Sequence, residues 1–517
     1  MIEEYTGAFS ATPGPARLDD WPAELFLLVG RSRRELVAAL DALAGGLPSA
    51  GTAPLRRLAA SAWQTARAVL AKLDEQGLKL AVVATSADDL RDKLAAARAQ
   101  LDEGAAAIDD PRGVYFAESP LTRGGSVAFL FPGQGSQYPG MLRELAIHFD
   151  EVRGCFEAAS RLLAGRFPQP LGVYVFPPPW FSPEEERARE DALKQTNVAQ
   201  PSLGAAGLGM FRLLAALGVE PGAVAGHSYG EYVALCAAGA LAEEHLYDLS
   251  EVRGRVIIES AGPELGTMAA VRGRGEAVVA ALEGAPEVWI ANVNGPRQTV
   301  ISGTRAGIEA AVQRLGAVGL STRPVAVACA FHSPLIAEAA GRFSECLARA
   351  EFAPPRIPVF SNVTAAPHAA EAGPIARALS EHLTSPVRFM DEIEAMYAAG
   401  CRIFVEVGPR NILTGLVQQT LRGRRFLGVP IDVPGRSGLV QLLHVLGQLA
   451  AHGVGVSLDR VFEGRLASAE PPAPLSPTTW LVSGGQARPL NRKTASERAS
   501  ESAGEPIPAT AAIRSET

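Results

Sequence analysis

The sequence predicts an α/β protein: an α/β hydrolase-like body with an inserted ferredoxin-like subdomain, preceded by a small α/β domain. Three observations lead to this fold class. Short apolar segments of strand length alternate with helical periodicity from residue 24 onward. The segment 266–326 follows the order βαββαβ, which is the ferredoxin-like arrangement. The chain has 517 residues, enough for two or three domains.

The bulk composition excludes several functional classes. Charged residues make up 20% of the chain, the net charge is −7 and basic residues form no stripe, so no nucleic acid is expected as a partner. No apolar run is long enough to span a bilayer, and no signal-peptide pattern is present. We therefore expect a soluble cytoplasmic protein that does not bind membranes. The five cysteines lack CxxC spacing, which argues against disulfides and a zinc site; they are Cys155, Cys236, Cys329, Cys346 and Cys401.

The N-terminal part is expected to hold a linker and then a small domain. Residues 1–23 are rich in Pro, Gly, Thr and Asp and have linker character, and residues 24–122 form the small domain. Ser86 begins one of its helices with a capping-box pattern. The expected strands are Leu25–Val29, Leu80–Ala84 and Gly113–Phe116, and the expected helices are Arg33–Leu43, Leu55–Leu73 and Ser86–Leu101.

The glycine-rich joint Arg123–Gly125 precedes the body, which we place at residues 126–435. Residues 436–482 are expected to add a leucine-rich helix, Leu439–Leu449, and a further linker. The tail 483–517 is expected to be disordered from its composition, so the chain has the character of a piece of a larger polypeptide. Within the body, the expected subdomain strands are Thr267–Val271, Val288–Val293, Thr299–Ser302 and Thr322–Ala326, and its helices are Glu276–Leu282 and Ala306–Leu315.

One five-residue segment has the context of a nucleophile elbow. Gly226-His227-Ser228-Tyr229-Gly230 follows the apolar strand Ala223–Ala225 and precedes a helix expected over Glu231–Leu241. A serine in such a turn, at a helix N-terminus, is placed to form a covalent acyl intermediate. A glycine-rich turn with a capping serine is the structural alternative, and the strand-turn-helix context favours Ser228 as the nucleophile.

A second glycine-rich loop, Phe131–Gln137, follows the expected strand Val127–Phe131. Ligand sites of parallel sheets gather beyond the carboxyl ends of the strands. Gly133 and Gly135 leave the N–H of Gln134 accessible, so the main-chain N–H groups of Gln134 and Tyr229 are candidates for an oxyanion hole. Taken alone, the loop also fits an ordinary turn.

Among the eight histidines, His332 is the best candidate for a general base. It lies in Cys329-Ala330-Phe331-His332-Ser333-Pro334, between a strand and a proline-started helix. His368 lies in a loop and has no apparent partner. A purely structural histidine remains the alternative for His332, since periodicity alone does not pair it with Ser228. Four others lie in helical stretches and are expected to be surface or packing residues: His148, His245, His444 and His452.

Five short motifs follow one another along the chain in the order that a known family shows. Over Val127–Phe426 the chain resembles malonyl-CoA:acyl-carrier-protein transacylases and the acyltransferase domains of polyketide and polyunsaturated fatty acid synthases. Residues 24–115 resemble the domain that links a ketosynthase to its acyltransferase, and Trp480–Val482 resembles the segment that follows such domains. The motifs are FPGQGSQ at 131–137, GHSYGE at 226–231, FHSPL at 331–335, EVGP at 406–409 and LTG at 413–415.

The resemblance implies a role for each matching residue. Ser228 is implied to carry the acyl group and His332 to act as its base, with Gln134 and Tyr229 giving the oxyanion hole through their main-chain N–H groups. The family has no triad carboxylate; a main-chain carbonyl, here near His382, orients the histidine. No metal and no tightly bound cofactor are implied.

The resemblance also sets the expected substrate. Arg253 matches the family arginine that binds the free carboxylate of malonyl-type substrates, a task that suits a guanidinium fork. Beside the base, malonyl-selective relatives carry His-Ala-Phe-His and methylmalonyl-selective ones Tyr-Ala-Ser-His, whereas this chain has Cys329-Ala330-Phe331-His332. Phe331 is expected to crowd a methyl branch. Cys329 and Tyr229 depart from the malonyl pattern.

The expected function is transfer of a malonyl group from malonyl-CoA to the phosphopantetheine thiol of an acyl carrier protein, with a ketosynthase and other synthase domains as covalently linked partners. Two alternatives are an acyl-CoA or acyl-thioester hydrolase of the same fold and a non-catalytic docking or scaffold module. Arg253 argues against a hydrolase of neutral esters. The presence of Gln134, Ser228, Arg253 and His332 together argues against a decayed scaffold.

Overall fold

The structure is a computed structural model that describes residues 20–47, 55–73, 77–260, 266–325, 329–466, 480–483 and 486–489. The chain forms two compact units, Met1–Arg465 and Leu466–Thr517. Residues 1–19 of the expected linker and most of the expected tail over 483–517 lie outside the described residues. In the described part of the chain, we find no helix with the length and apolarity needed to cross a membrane.

The small N-terminal domain is a four-stranded antiparallel sheet with three helices. Its strand order is β1-β2-β4-β3, and every residue of β1 and β2 is buried, consistent with their nearly continuous apolar sequences. The sequence does not predict β3, because Ile108 is its one fully buried residue and two aspartates end it. In chain order the elements are β1 (Glu24–Gly30), α1 (Arg33–Gly45), α2 (Leu55–Leu70), β2 (Leu78–Ala84), α3 (Ala87–Asp102), β3 (Ala107–Asp110) and β4 (Val114–Ala117).

The body begins with the first strands of a parallel sheet. Strands β5 and β6 pair in parallel with Phe131 opposite Gly226, so both strands end at the same edge of the sheet. This edge brings the loop after β5 next to the turn after β6. The elements are β5 (Ser126–Phe131), α4 (Arg143–His148), α5 (Asp150–Leu162), α6 (Leu171–Val175), α7 (Pro183–Lys194), α8 (Thr196–Ala216), β6 (Ala223–Gly226), α9 (Gly230–Ala237) and α10 (Glu243–Ser260).

The inserted subdomain is an antiparallel sheet with two helices. Its strand order is β10-β7-β9-β8, the fourth, first, third and second strands of the insertion, which is the ferredoxin-like order that the sequence predicts. The last residue of the expected final strand, Ala326, lies outside the described residues. The elements are β7 (Thr267–Arg272), α11 (Gly275–Leu282), β8 (Val288–Gly295), β9 (Gln298–Gly303), α12 (Arg305–Ala317) and β10 (Ser321–Val325).

The second half of the body completes a five-stranded parallel sheet in the order β11-β6-β5-β12-β13. The expected α/β class, a parallel sheet with an inserted antiparallel subdomain, is therefore confirmed. Strand β11 has only two residues, too few to give a periodic sequence signal. The elements are α13 (Ala337–Leu347), β11 (Val359–Phe360), α14 (Ala372–His382), α15 (Phe389–Ala398), β12 (Cys401–Glu406), α16 (Ile412–Thr420) and β13 (Leu427–Pro430).

Two helices follow the last strand, α17 (Gly438–Ala451) and α18 (Asp459–Phe462). Helix α17 covers the small sheet, where His444 Nδ1 lies 2.7 Å from the hydroxyl of Tyr115. A Cβ on Gly447 would lie 3.3 Å from the Cβ of Ala81, so the glycine lets the helix approach the sheet closely. The expected helix over residues 439–449 thus supplies part of the core of the small domain.

The second compact unit contains a two-stranded antiparallel hairpin, β14 (Trp480–Ser483) and β15 (Gln486–Pro489). Within the tail 483–517 that is expected to be disordered, the described residues Ser483 and Gln486–Pro489 belong to this hairpin. In the sequence, Gly484-Gly485 between two short segments is a hairpin signal.

Candidate active site

The nucleophile elbow joins β6 to α9. Ser228 has a φ of +52°, in the left-handed region that residues with side chains occupy only when their surroundings hold them there. A Cβ on Gly226 would lie 1.9 Å from the carbonyl carbon of Gly230, and a Cβ on Gly230 would lie 2.0 Å from the main-chain oxygen of Phe131. Both positions therefore require glycine, and the tight turn places Ser228 at the start of α9.

Ser228 and His332 form a hydrogen-bonded pair. The distance from Ser228 Oγ to His332 Nε2 is 2.9 Å. On the other side of the ring, His332 Nδ1 lies 3.0 Å from the main-chain oxygen of His382 and 3.1 Å from that of Ser385. Because both of these oxygens can only accept, Nδ1 carries the proton and Nε2 is free to accept the serine proton.

Burial keeps the imidazole of His332 neutral. The residue is 3% exposed, and desolvation of its charged form, reinforced by the nearby charge of Arg253, lowers its pKa to about 3. A neutral imidazole is the form that acts as a base towards a hydroxyl. The structure therefore holds His332 in the form that base catalysis needs, without an adjacent carboxylate.

Gln134 and Tyr229, the two residues expected to supply oxyanion-hole N–H groups, line the same cavity as Ser228 and His332. Among the described residues we find no hydrogen-bond acceptor for either N–H. The N–H of Ser228 is different, because it donates to Asn362 Oδ1 at 2.6 Å. The loop after β5 is pressed against the elbow, since a Cβ on Gly133 would lie 2.2 Å from the main-chain oxygen of His227. Two N–H groups without an acceptor, on residues that share a cavity with a serine hydroxyl, are suited to bind an oxyanion.

A cavity of about 300 Å³ opens between the end of the parallel sheet and one face of the antiparallel subdomain. Its lining combines several polar groups with a mainly apolar surface, as is common for sites that bind small organic ligands. The polar residues include Gln134, Ser228, Arg253 and His332, and the apolar residues include Met268, Val300, Val325, Phe331, Leu413 and Leu416.

Arg253 lies on α10 and reaches this cavity although it is 1% exposed. Within the described residues, its Nε and Nη2 atoms have no hydrogen-bond partner. Its Cζ atom lies 5.6 Å from the ring centre of Tyr232, a cation–π contact that holds the side chain. A buried guanidinium with free donors is costly unless an anion pairs with it. The cavity is thus suited to a ligand that carries a carboxylate.

The motif at 406–409 positions one wall of the cavity. Glu406, at the end of β12, accepts hydrogen bonds from the N–H groups of Leu413 and Thr414 at 3.0 and 2.7 Å. These bonds cap the first turn of α16, which carries Leu413 and Leu416 into the cavity wall. The role of Glu406 in the described structure is therefore to anchor a helix.

A sequence profile described as "Acyl transferase domain" matches residues 128–454, which is more than half of the chain. The chain belongs to the acyl transferase domain family. The expected family is thereby confirmed, and the matched segment contains all the cavity residues named above.

Two curated relatives show how much of a whole protein this chain matches. The first is a polyunsaturated fatty acid synthase subunit from Thraustochytrium sp. (strain ATCC 26185 / S-3). The two are 34% identical over 356 residues, a match that covers 66% of this chain and only 12% of that protein. The second is the malonyl CoA-acyl carrier protein transacylase of Bacillus subtilis (strain 168), with 35% identity over 309 residues, which covers 59% of this chain and 93% of that protein.

A solved structure of an acyltransferase domain also resembles this chain. The acyltransferase domain from the second module of the salinomycin polyketide synthase superposes with a TM-score of 0.64 and 31% sequence identity. The match covers 87% of this chain and 97% of that one. The acyltransferase fold therefore extends over most of the chain.

The two residues expected to set substrate selectivity lie in different places. Phe331 lines the cavity of the acyltransferase domain, whereas Cys329 is not among its lining residues. Cys329 is 1% exposed within the main hydrophobic core, where burial raises the pKa of its thiol to about 12. Phe331 therefore lies on the cavity wall, whereas Cys329 packs in the hydrophobic core.

Tyr229 departs from the aliphatic residue that is usual after the nucleophile, and the structure shows how its ring is accommodated. Its hydroxyl lies 2.6 Å from Ser250 Oγ on α10. A Cβ on Gly204 of α8 would lie 2.6 Å from the same hydroxyl, so glycine there provides the necessary space. The side chain of Tyr229 therefore connects the elbow to the helix that carries Arg253.

The sequence did not reveal the contacts of two polar residues near the elbow, His368 and Asn362. His368 was expected to have no partner, and this was wrong, because its Nε2 lies 2.6 Å from Glu231 Oε1. Asn362 bonds the N–H of Ser228 and follows the two-residue strand β11. These contacts join residues more than 130 positions apart, as with the 134 between Ser228 and Asn362. The sequence offers one signal for Asn362, which is its position just beyond the carboxyl end of strand β11. That strand has only two residues, so it cannot be recognised from the sequence.

Proposed function

We propose that this acyltransferase domain transfers a malonyl group from malonyl-CoA to the phosphopantetheine thiol of an acyl carrier protein, through an ester on Ser228. The observation that carries the proposal is the buried guanidinium of Arg253, with free donors, on the same cavity as Ser228 and His332. A malonyl carboxylate supplies the missing anion. The name of the Bacillus subtilis relative, a malonyl CoA-acyl carrier protein transacylase, supports the donor and the acceptor.

In the first half-reaction, Arg253 holds the malonyl carboxylate and sets the thioester carbonyl over Ser228. His332 Nε2 takes the hydroxyl proton while Oγ bonds to the carbonyl carbon, and the resulting oxyanion accepts hydrogen bonds from the N–H groups of Gln134 and Tyr229. When the intermediate collapses, the carbon–sulfur bond breaks and the imidazolium gives its proton to the departing coenzyme A thiolate. A malonyl ester of Ser228 remains.

The second half-reaction runs through the same groups in a ping-pong order. His332 takes the proton from the phosphopantetheine thiol of the carrier protein, and the sulfur attacks the ester carbonyl. The ester bond breaks, the proton passes to Ser228 Oγ, and the malonyl thioester leaves with the carrier protein. No metal or tightly bound cofactor takes part. Because the Thraustochytrium relative is part of a synthase, we propose that other synthase domains supply the carrier protein.

Phe331 supports an unbranched malonyl group over a methylmalonyl group. Its ring lies on the cavity wall next in sequence to His332, where an α-methyl branch would meet it. Two substrates that differ by one methylene-sized group in a pocket typically differ by about 1–3 kcal/mol in transition-state binding free energy. The expected selectivity is therefore a preference rather than complete exclusion.

The proposal is tested by the intact mass of the full chain after brief exposure to malonyl-CoA. Wild-type protein is expected to gain one malonyl group, and Ser228→Ala none, because the ester oxygen is then absent. Adding a phosphopantetheinylated carrier protein should discharge the adduct onto the carrier thiol. Release of free malonate at the same rate without the carrier would instead indicate a hydrolase, and an unmodified wild-type protein would refute acyl transfer.

The depressed pKa of His332 predicts an unusual pH dependence. Because its pKa is about 3, the base stays neutral in the folded enzyme, so kcat/KM for acylation should remain flat as pH falls through about 6.5, the ordinary histidine pKa. Unfolded His332 binds a proton below about 6.5 that the folded form refuses, so stability should decline from that pH downward. Single-turnover acylation and urea unfolding at each pH separate the two effects. A rate that halves near pH 6.5 in folded protein would contradict the neutral, buried base.

A further inference from the structure

A buried polar cluster adjoins the nucleophile elbow but does not line the cavity. It consists of Asn362 after β11, Glu231 on α9 and Glu392 on α15, each of them 0% exposed. Buried polar groups of this kind are retained only when their hydrogen bonds are made. The mechanism proposed above uses none of the three, so their place beside Ser228 requires an explanation.

Asn362 bridges the two main-chain groups on either side of His227. Its Oδ1 accepts from the N–H of Ser228 at 2.6 Å, and its Nδ2 donates to the oxygen of Gly226 at 2.5 Å. The strands β11 and β6 pair up to Phe360 opposite Ala225, and the backbone ladder ends there. The carboxamide of Asn362 therefore replaces the missing partner strand at the point where β6 turns into the elbow.

We infer that Asn362 is a positioning residue for acyl transfer, which holds Ser228 in its left-handed conformation and aims its hydroxyl at His332. The inference rests on the proposed function. By occupying the N–H of Ser228, Asn362 also removes that group from the oxyanion site, which leaves the N–H groups of Gln134 and Tyr229 as the donors. A backbone at φ +52° relaxes unless its neighbours hold it, so the bridge is needed where the nucleophile must not move.

The surroundings of Asn362 select for asparagine. Its Nδ2 also faces both carboxyl oxygens of Glu392, at 3.1 and 3.2 Å, and its own N–H donates to Glu231 Oε2 at 3.0 Å. Glu231 in turn contacts His368 at 2.6 Å. An asparagine at this position provides both donors and an acceptor, whereas an ionised aspartate only accepts and brings a third carboxyl group to Glu231 and Glu392.

The test compares single-turnover malonylation rates of Asn362→Ala and of a matched control, Ser361→Ala, in the full chain. Ser361 is 1% exposed on the same loop, and its Oγ accepts from the N–H of Val363, away from the elbow. Asn362→Ala is expected to acylate about 10–100-fold more slowly with little change in KM, because a small misplacement of a reacting group costs rate rather than binding. Ser361→Ala should lose stability without losing rate. Equal rate losses in both variants, or a normal rate in Asn362→Ala, would overturn the inference.

Asn362→Asp gives a second readout that a general loss of stability does not mimic. The groups facing this position are Glu231 and Glu392, with His368 and His382 beyond Glu231. An ionised aspartate cannot donate to the oxygen of Gly226, but a protonated one can, so the rate of this variant should rise as pH falls from about 8 to about 6 while the wild-type rate stays flat. A deficit independent of pH would overturn the inference even if Asn362→Ala failed to fold. Wild-type protein that takes no malonyl group would refute the proposed function instead.

Discussion

Replacing Arg253 with alanine is expected to lower kcat/KM for malonyl-CoA by about 10²–10⁴-fold. The bound carboxylate loses two charge-assisted hydrogen bonds, worth roughly 1.5–3 kcal/mol each, and about 1.4 kcal/mol corresponds to a factor of ten. Acetyl-CoA has no carboxylate, so its kcat/KM should be equal or higher in the variant. Initial rates with both thioesters measure the change, and the malonyl-to-acetyl ratio is the decisive quantity.

Arg255→Ala is the matched control for this experiment. Arg255 lies two residues further along α10, is exposed, and pairs with the buried Glu251 and the exposed Glu259. Its removal should leave the substrate ratio unchanged. Arg253→Lys keeps the charge but loses the planar fork, so it is expected to fall between wild type and alanine. A variant without Arg253 that still prefers malonyl-CoA would contradict the assignment of the carboxylate site.

Removal of Arg253 should not destabilise the fold. The guanidinium is buried with two nitrogens that lack partners in the described structure, and such a group opposes folding when no ligand is bound. The free energy of unfolding of Arg253→Ala is therefore expected to equal or exceed that of wild type, while activity falls. This opposition of stability and activity is typical of residues retained for ligand binding.

The parts of the fold that the sequence predicts are those with a local signal. The strands β1, β2 and β5 are long apolar runs, and the insertion alternates strand and helix patterns over short distances, so both were predictable from periodicity. Strand β11, with two residues, and β3, with one fully buried residue, carry almost no such signal. The covering of the small sheet by α17 depends on contacts such as Tyr115 with His444, 329 positions apart, which periodicity does not report.

The site residues that the sequence predicts also have a local sequence signal, whereas the missed ones depend on contacts between distant parts of the chain. Ser228 and His332 lie in glycine- and proline-flanked loops whose sequence marks a sharp turn after a strand, and family motifs contain both. Their partnership, across 104 positions, needed either the resemblance or the structure. Asn362 lies in an ordinary loop sequence, and its function depends on which main-chain groups it meets. Those groups, the main-chain oxygen of Gly226 and the N–H of Ser228, have no backbone partner on β11, because the pairing of β11 with β6 ends at Phe360 opposite Ala225.

His332→Ala is expected to slow the formation of the malonyl ester by about 10²–10⁴-fold, which is the usual contribution of a positioned general base. Binding of malonyl-CoA should change little, because the carboxylate contact with Arg253 remains. The rate constant is measured in single-turnover experiments by the mass of the acylated chain, with KM determined in parallel. A large rise in KM with an unchanged rate would indicate that His332 binds substrate rather than moving a proton.

His382→Gln provides the sharpest comparison for that variant. The contact of His382 with His332 is through its main-chain oxygen, at 3.0 Å, while both ring nitrogens of His382 lack hydrogen-bond partners among the described residues. Glutamine keeps the main-chain oxygen and replaces the ring, so the variant is expected to lose far less activity than His332→Ala. Equal losses would show that the ring of His382, 3.8 Å from Glu231, takes part in charge stabilisation. A small loss would leave the catalytic imidazole oriented by carbonyl groups alone, which hold its tautomer without adding a second charge to a buried site.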